Sequence, residues 1–264
     1  MSLKIYVHTY NRLDKQKTLE RLDAIKEHVW LVIQHRERKL YDNIYDSKRM
    51  IVLPKHIQTL SPTRQWLLEN ADTDKMVMAD DDLYFYRRRC FSNHHSRKTT
   101  NRDVWRMYHW LDWALDHYMH AGITHRYFNT DEKIIDECCE MSCFLGYRKE
   151  VNDLGCRFDR VPLAQDHDMT LQLLEKGYPN LVNFYFSYSQ LPQAPGGVSD
   201  YRTFELLEQV AHEMARLHPG TVKVVKKHPK TNIHWKKLDP SGKGERVAFT
   251  CKWKKAFEMS KGLV

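Results

Sequence analysis

No run of about 18 apolar residues occurs anywhere in the 264-residue chain, so no membrane span is expected. The opening MSLKIYVHTYNR lacks the apolar core and the small-residue cleavage site of a secretory signal. The cysteines (Cys90, Cys138, Cys139, Cys143, Cys156 and Cys251) lack the paired C-x-x-C knuckles that wrap a tetrahedral zinc ion. Reduced thiols in a cytoplasm are the reading that fits. Internal repeats are absent as well. A hydrophobic fraction of 42% beside 29% charged residues excludes a disordered chain and suits one α/β domain, alone or with an appendage.

Net positive charge is missing from most of the chain, although the total is +8. Residues 221–264 hold 12 Lys/Arg against 3 Asp/Glu, which leaves the first 220 about one charge negative. The basic character therefore belongs to the C-terminal segment and bears on the choice of partner. The division implied is 1–220 as the main domain and 221–264 as a basic segment packing on it.

What is present reads as strands alternating with helices, the pattern of a mainly parallel sheet. Lys4–His8 is a short apolar strand ending in Thr9-Tyr10-Asn11-Arg12, and a helix through Leu19, Leu22 and Ile25 follows. Val29–Gln34 and Met50–Leu53 are further strands. Ser61-Pro62 opens a helix, with Ser as N-cap and Pro at the first position. Lys75–Ala79 is an apolar strand that runs into Asp80-Asp81-Asp82. Arg87–Arg102 is polar and basic and reads as an exposed loop. Helix 104–118 carries Val104, Tyr108, Leu111, Leu115 and Tyr118 on one strip, which makes them core. Asp168–Lys176 is a short helix closed by Gly177, and helix 203–217 follows the Gly/Pro loop QAPGGVSD.

Three adjacent carboxylates at a strand end repel one another unless a cation sits among them. Ligands in open α/β sheets bind at the carboxyl ends of strands. On an extended segment, side chains two apart point the same way, so Asp80 and Asp82 are expected to hold one Mg²⁺ or Mn²⁺. Asp81 then points away, toward the sugar or ribose of a donor. The competing reading is a solvated acidic turn. A second acidic cluster, Gln165-Asp166-His167-Asp168, precedes a helix whose positive end favours a carboxylate. Asp166 there is the candidate general base, and Asp168 is read as a helix cap.

The ordered blocks YVHTYNR, SPTRQWLLENADTDKMVMADDDLYF and AQDHDMTLQLLEKGY resemble the GT-A fold of glycosyltransferases over roughly Lys4 to Tyr178. That resemblance implies a nucleotide-sugar donor, with Thr9, Tyr10 and Arg12 on the nucleoside and Arg64 on the ribose or phosphates. It also implies a metal at the Asp triplet, Asp166 as the base of an inverting transfer, and a third metal ligand among His218, His228 and His234. Gln165 departs from the family, which usually has an acidic residue there. The segments TRQWLLENAD, MADDDLYFYRR and GGVSDYRT further resemble the TET/JBP-associated glycosyltransferases of phages, which act on modified DNA pyrimidines. This implies a hydroxymethylated pyrimidine in phage DNA as acceptor, a UDP-sugar as donor, and the host-cell cytoplasm as location.

The C-terminal segment interleaves lysines with Trp235, Phe249 and Trp253, a composition that suits a phosphate backbone and an unstacked base. Lys236, Lys237, Lys252 and Lys254 are the candidate DNA contacts. No strongly amphipathic basic helix points to a membrane surface. Two other functions remain open: transfer to a polysaccharide or protein, and a non-catalytic nucleic-acid-binding protein on a transferase scaffold.

Overall fold

The computed structural model describes residues 3–13, 16–42, 44–89, 92–128, 133–190, 197–227 and 245–263. The first half lays down strands β1 (Lys4–His8), β2 (Val29–Ile33), β3 (Met50–Val52) and β4 (Lys75–Asp80). Between them come helices α1 (Lys17–Arg21), α2 (Arg38–Tyr41) and α3 (Leu60–Asn70). Then follow β5 (Leu83–Arg89), β6 (Ser92–Lys98), α4 (Asn101–His117), β7 (His120–His125), β8 (Ile135–Glu137) and β9 (Phe144–Arg148). The chain continues through α5 (Gln165–Glu175), β10 (Asn180–Gln190) and α6 (Phe204–Leu217). Last come β11 (Val222–Lys227), β12 (Arg246–Cys251) and α7 (Trp253–Ser260).

Ten strands form one sheet in the order β3-β2-β1-β4-β9-β7-β10-β5-β6, with β8 on β10. The pairings set β1, β2, β3, β4, β6, β7 and β10 in one direction, against β5, β8 and β9. This is the mainly parallel sheet expected from the alternation of elements. Both faces are covered. Ile5, Val7, Val77 and Ala79 face α4, packing with Met107, Leu111 and Leu115. Tyr6, Met76 and Met78 face α3 and α5, packing with Leu67, Leu68, Met169 and Leu173. The period-two alternation of apolar residues thus fills two cores at once, as a sheet buried on both sides requires.

Several local expectations change. The helix after β1 is a single short turn, and Ile25 lies in a following 3₁₀ stretch. Thr59, not Ser61, precedes the first turn of α3, and the Ser61 hydroxyl donates instead to the Val161 carbonyl at 2.8 Å. The supposed loop over Arg87–Arg102 is largely an antiparallel hairpin of β5 and β6. Its polar residues concealed it, because a hairpin whose outer face meets water needs no apolar run. Tyr108 is buried in the core as expected, and a capping box between Thr100 and Asp103 starts its helix.

The C-terminal strands β11 and β12 pair with each other. Val222, Phe249, Trp253 and Ala256 join Leu171 and Leu174 of α5 and Val210 and Met214 of α6 in a third apolar cluster. His218 anchors this segment. Its Nε2 meets Asp168 at 2.7 Å and its Nδ1 meets Glu175 at 2.9 Å, with the ring fully buried. No described helix is long and apolar enough to cross a membrane.

Candidate active site

Parallel strands β1 and β4 end side by side, with His8 in register with Asp80. Beyond those ends opens a cavity of about 970 Å³. Thr9, Tyr10, Arg12, Arg64, all three triplet aspartates and Asp166 line it. The structure therefore brings the candidate donor residues, the Asp triplet and the candidate base into one place, but not His218.

The triplet is held by its own backbone before its side chains act. The Thr18 hydroxyl donates to the Asp80 carbonyl at 2.5 Å and accepts from the Leu83 amide at 2.9 Å. The Thr18 amide donates to the Asp81 carbonyl at 3.0 Å. Asp81 and Asp82 form a turn between β4 and β5, so the alternation of an extended strand does not extend through them. This overturns the expectation that Asp81 points away. Its carboxylate accepts from the Thr9 hydroxyl at 2.5 Å and from Arg12 Nη1 at 2.6 Å. The same Nη1 reaches Asp82 at 2.9 Å, so one guanidinium nitrogen joins the two turn residues.

Asp80 is engaged separately. Its Oδ1 accepts from His8 Nε2 at 3.0 Å and from Arg64 Nη2 at 2.9 Å, and its Oδ2 from Gln190 Nε2 at 3.0 Å. Burial lowers the pKa of His8, so the ring is neutral and donates its Nε2–H. Against the opposing effect of burial, the His8 hydrogen bond and the Arg64 charge hold Asp80 well below the usual carboxylate range. Burial pushes Asp81 the other way, up to about 6, despite Arg12 and Thr9. Burial and the neighbouring Asp80 charge also raise Asp82.

These residues fit a hard divalent cation. Asp82 Oδ1 is buried in the cavity wall without a hydrogen-bond partner, an oxygen left over after Arg12 is served. Asp80, by contrast, has both oxygens committed to protein donors. Among the described residues no three His, Cys, Asp or Glu side chains are gathered around one point for an ion. His218 cannot supply a third ligand, because both its nitrogens are taken by Asp168 and Glu175. His228 and His234 lie outside the described residues.

Arg64 is the hinge of the site. Its neighbours in sequence leave open an ordinary surface arginine, but the side chain is 1% exposed and placed between two carboxylates. It meets Asp80 at 2.9 Å and Asp166 at 3.9 Å. Asp166 sits in the first turn of α5, after Ala164 in a left-handed conformation at φ 58°, and not at the cap. Its Oδ1 accepts from the His167 amide at 2.9 Å and pairs with His167 Nδ1 at 3.0 Å. The other side of that ring meets Glu140 at 3.5 Å. Burial opposes it, yet the two carboxylates raise His167 to about 10, so the ring is an imidazolium near neutral pH. Burial is likewise outweighed at Asp166, which the His167 and Arg64 charges hold below its ordinary value. Asp166 is thus an ionised, oriented carboxylate. Asp168 is completely buried and accepts from Gln172 and His218, which makes it a structural residue.

Two parts of the site are not foreseen from the sequence. His8, the last residue of β1, is brought to the site by its register with Asp80 at the end of β4. Phe249 and Trp253, read from sequence as suited to an unstacked base, pack on His167, with centroids 5.7 and 5.5 Å away. Tyr10 lies under the Arg36 guanidinium at 4.5 Å. The 197–200 turn closes over Arg12, and the Gly197 amide donates to the Tyr10 carbonyl at 3.1 Å. Gly197 has φ +65°, and a Cβ there would stand 3.3 Å from the Arg12 guanidinium, so glycine suits the position doubly. Lys252 and Lys254 are exposed at the start of α7, while Lys236 and Lys237 lie outside the described residues.

A family model described as TET-associated glycosyltransferase matches residues 3–193. The Beta-glucosyl-HMC-alpha-glucosyl-transferase of Enterobacteria phage T6 is 24% identical over 239 residues, covering 80% of this chain and 81% of its own. Its namesake from Enterobacteria phage T2 is 23% identical over 238 residues with the same coverage. Among solved structures, residues 1–349 of S. aureus TarS in complex with UDP-GlcNAc give a TM-score of 0.52 at 14% identity, over 81% of this chain and 67% of that one. Glucosyl-3-phosphoglycerate synthase from Mycobacterium tuberculosis, with Mn²⁺, UDP and phosphoglyceric acid, gives 0.50 at 10% identity over 88% and 84%. The likeness to the solved structures is one of fold, the GT-A arrangement that the three motif blocks resemble.

Proposed function

The chain belongs to the TET-associated glycosyltransferases, and from that premise we propose that it moves a sugar from a UDP-sugar to a hydroxymethylated pyrimidine base in phage DNA. The observation that carries this reading is Arg64, buried between Asp80 at the donor end and Asp166 at the acceptor end of one cavity. Such a placement couples a diphosphate site to a base across a single guanidinium. The names of the two phage relatives, which specify glucosyl-HMC, support the acceptor class.

In this account Thr9, Tyr10 and Arg12 hold the nucleoside, and Arg64 faces the phosphates with a fork suited to their oxygens. Asp81 tethers Arg12, and through it the donor's ribose side. Asp82, with Asp80 behind it, would hold Mg²⁺ or Mn²⁺, which when bound neutralises the charge that develops on the leaving diphosphate. Asp166 accepts the proton of the acceptor hydroxyl as its oxygen attacks the anomeric carbon. The bond from that carbon to the diphosphate breaks, its electrons leave with the diphosphate, and an inverted configuration results. His167 keeps Asp166 ionised throughout.

The test is incorporation of labelled sugar from a set of UDP-sugars into duplexes carrying hydroxymethylcytosine, hydroxymethyluracil or glucosylated hydroxymethylcytosine, beside unmodified DNA and a polysaccharide. Incorporation into at least one modified duplex and none into unmodified DNA is expected. Transfer to the polysaccharide alone would move the acceptor to another class, and nucleic-acid binding with no transfer to any acceptor would leave a binding protein.

A further inference from the structure

Next to the first cavity lies a second, of about 460 Å³. It shares His125, Glu140 and Trp253 with the first cavity, so the two are neighbours across those side chains. The donor residues Thr9, Arg12 and Asp80–Asp82 line only the first. Glu140 and Trp253, which line both cavities, also flank the His167 ring that pairs with Asp166, so the second cavity borders the base at side chains that are not donor residues.

The lining of this cavity is unequal in charge. Lys252, Lys254 and Lys255 stand on one wall, and among the described residues Glu140 is its only carboxylate. Glu140 is already answered by His167 at 3.5 Å. Lys254 has a distant partner in Asp136 at 3.7 Å, and neither Lys252 nor Lys255 forms a side-chain ion pair among the described residues. Trp253 is fixed between the lysines by stacking on the His167 ring at 5.5 Å, an aromatic face over an imidazolium. All four residues lie beyond the segment 3–193 that the family model matches.

We propose that this second cavity holds the phosphodiester backbone beside the acceptor base, with its phosphates on Lys252, Lys254 and Lys255. Trp253 is the partition past which the extruded base enters the first cavity and brings its hydroxyl to Asp166. The proposal rests on DNA being the acceptor. Each lysine that meets a phosphate releases condensed counterions, and a base acted on outside the stack needs a flat side chain at the point of entry.

The experiment compares the whole protein with a Lys254→Ala/Lys255→Ala double variant. Both residues lie in the first turn of α7, Lys254 exposed and Lys255 partly so, and melting curves verify that the variant is folded. Affinity for a short hydroxymethylated oligonucleotide is measured by fluorescence anisotropy at several salt concentrations, beside UDP affinity and sugar transfer. The variant should bind the oligonucleotide at least about tenfold more weakly at low salt, and its salt slope should flatten by about 0.7 to 0.9 for each phosphate no longer neutralised. UDP affinity should not change. An unaltered salt slope and affinity, with wild-type transfer to DNA intact, overturns the cavity assignment and leaves the DNA reading standing. If the wild-type protein neither binds nor modifies the oligonucleotide, the DNA reading itself falls and takes the assignment with it.

Discussion

Replacing Arg64 by Met isolates the interaction on which the site is built. The guanidinium is 1% exposed, 2.9 Å from Asp80 and 3.9 Å from Asp166. Methionine keeps much of the volume and deletes the charge. Asp80 retains its His8 and Gln190 hydrogen bonds, and Asp166 retains His167. Breaking one partner out of a buried ionic cluster typically costs about 3–5 kcal/mol, because the remaining charges stay desolvated. For a chain of this size that corresponds to a fall in melting temperature of roughly 6–20 °C. Circular dichroism melts at neutral pH measure it, and Arg64→Lys, which restores charge without the planar fork, should recover part of the loss. At a temperature where the Met variant is folded, transfer should be abolished while the fold persists. A melting temperature within about 1 °C of wild type would refute the reasoning, since two partly buried carboxylates would then tolerate one another without a cation.

Four further outcomes follow from the same geometry. Asp166→Asn should lower kcat by about 10²–10⁴ with little change in donor affinity, as expected for loss of a general base; steady-state kinetics with separate UDP binding check it. His167→Gln removes the imidazolium that holds Asp166 low, so the acid limb of the kcat–pH profile should move to higher pH, and an unmoved limb would count against the positioning role. His218 has a pKa raised above 6.5, burial being outweighed by Asp168 and Glu175. Its stabilising contribution is therefore full below pH 6.5 and is lost as pH rises through the raised value, so the gap between wild type and His218→Gln in denaturant melts should be widest in acid and narrow toward alkaline pH. Asp82→Asn should weaken Mn²⁺ binding by calorimetry in the presence of UDP more than Asp80→Asn does, because Asp82 keeps an unpartnered oxygen and Asp80 does not; equal losses would contradict this.

The elements that position the site are legible where apolar periodicity speaks for them. β1 and β4 end in polar residues straight after buried alternation, and that alone brings Asp80 to a strand terminus next to the Thr9–Arg12 turn. What fails is the geometry one residue further on. A strand rule applied to Asp81 and Asp82 predicts opposite faces, but the chain turns there under the hold of Thr18, and Arg12 gathers both carboxylates. The β5–β6 hairpin is hidden by polarity. Arg64 cannot be distinguished from a surface arginine by its neighbours in sequence, because its burial depends on Asp80 and Asp166 arriving from a strand and a helix elsewhere in the chain. Phe249 and Trp253 are legible as aromatics among lysines, but their packing on His167 is a long-range contact that composition does not encode. His218 reads as a possible metal ligand for the same reason: only the fold reveals the two carboxylates that occupy it.

The proposed destination of the sugar is a hydroxymethylated pyrimidine. The most direct measurement treats hydroxymethylated DNA with the protein, Mn²⁺ and a mixture of sugar nucleotides, digests it to nucleosides and weighs them. A hydroxymethylpyrimidine nucleoside heavier by one glycosyl unit is expected, absent when Asp166→Asn replaces the wild type. Nucleosides of unchanged mass, in a reaction where the protein consumes a sugar nucleotide and labels another acceptor, would contradict it.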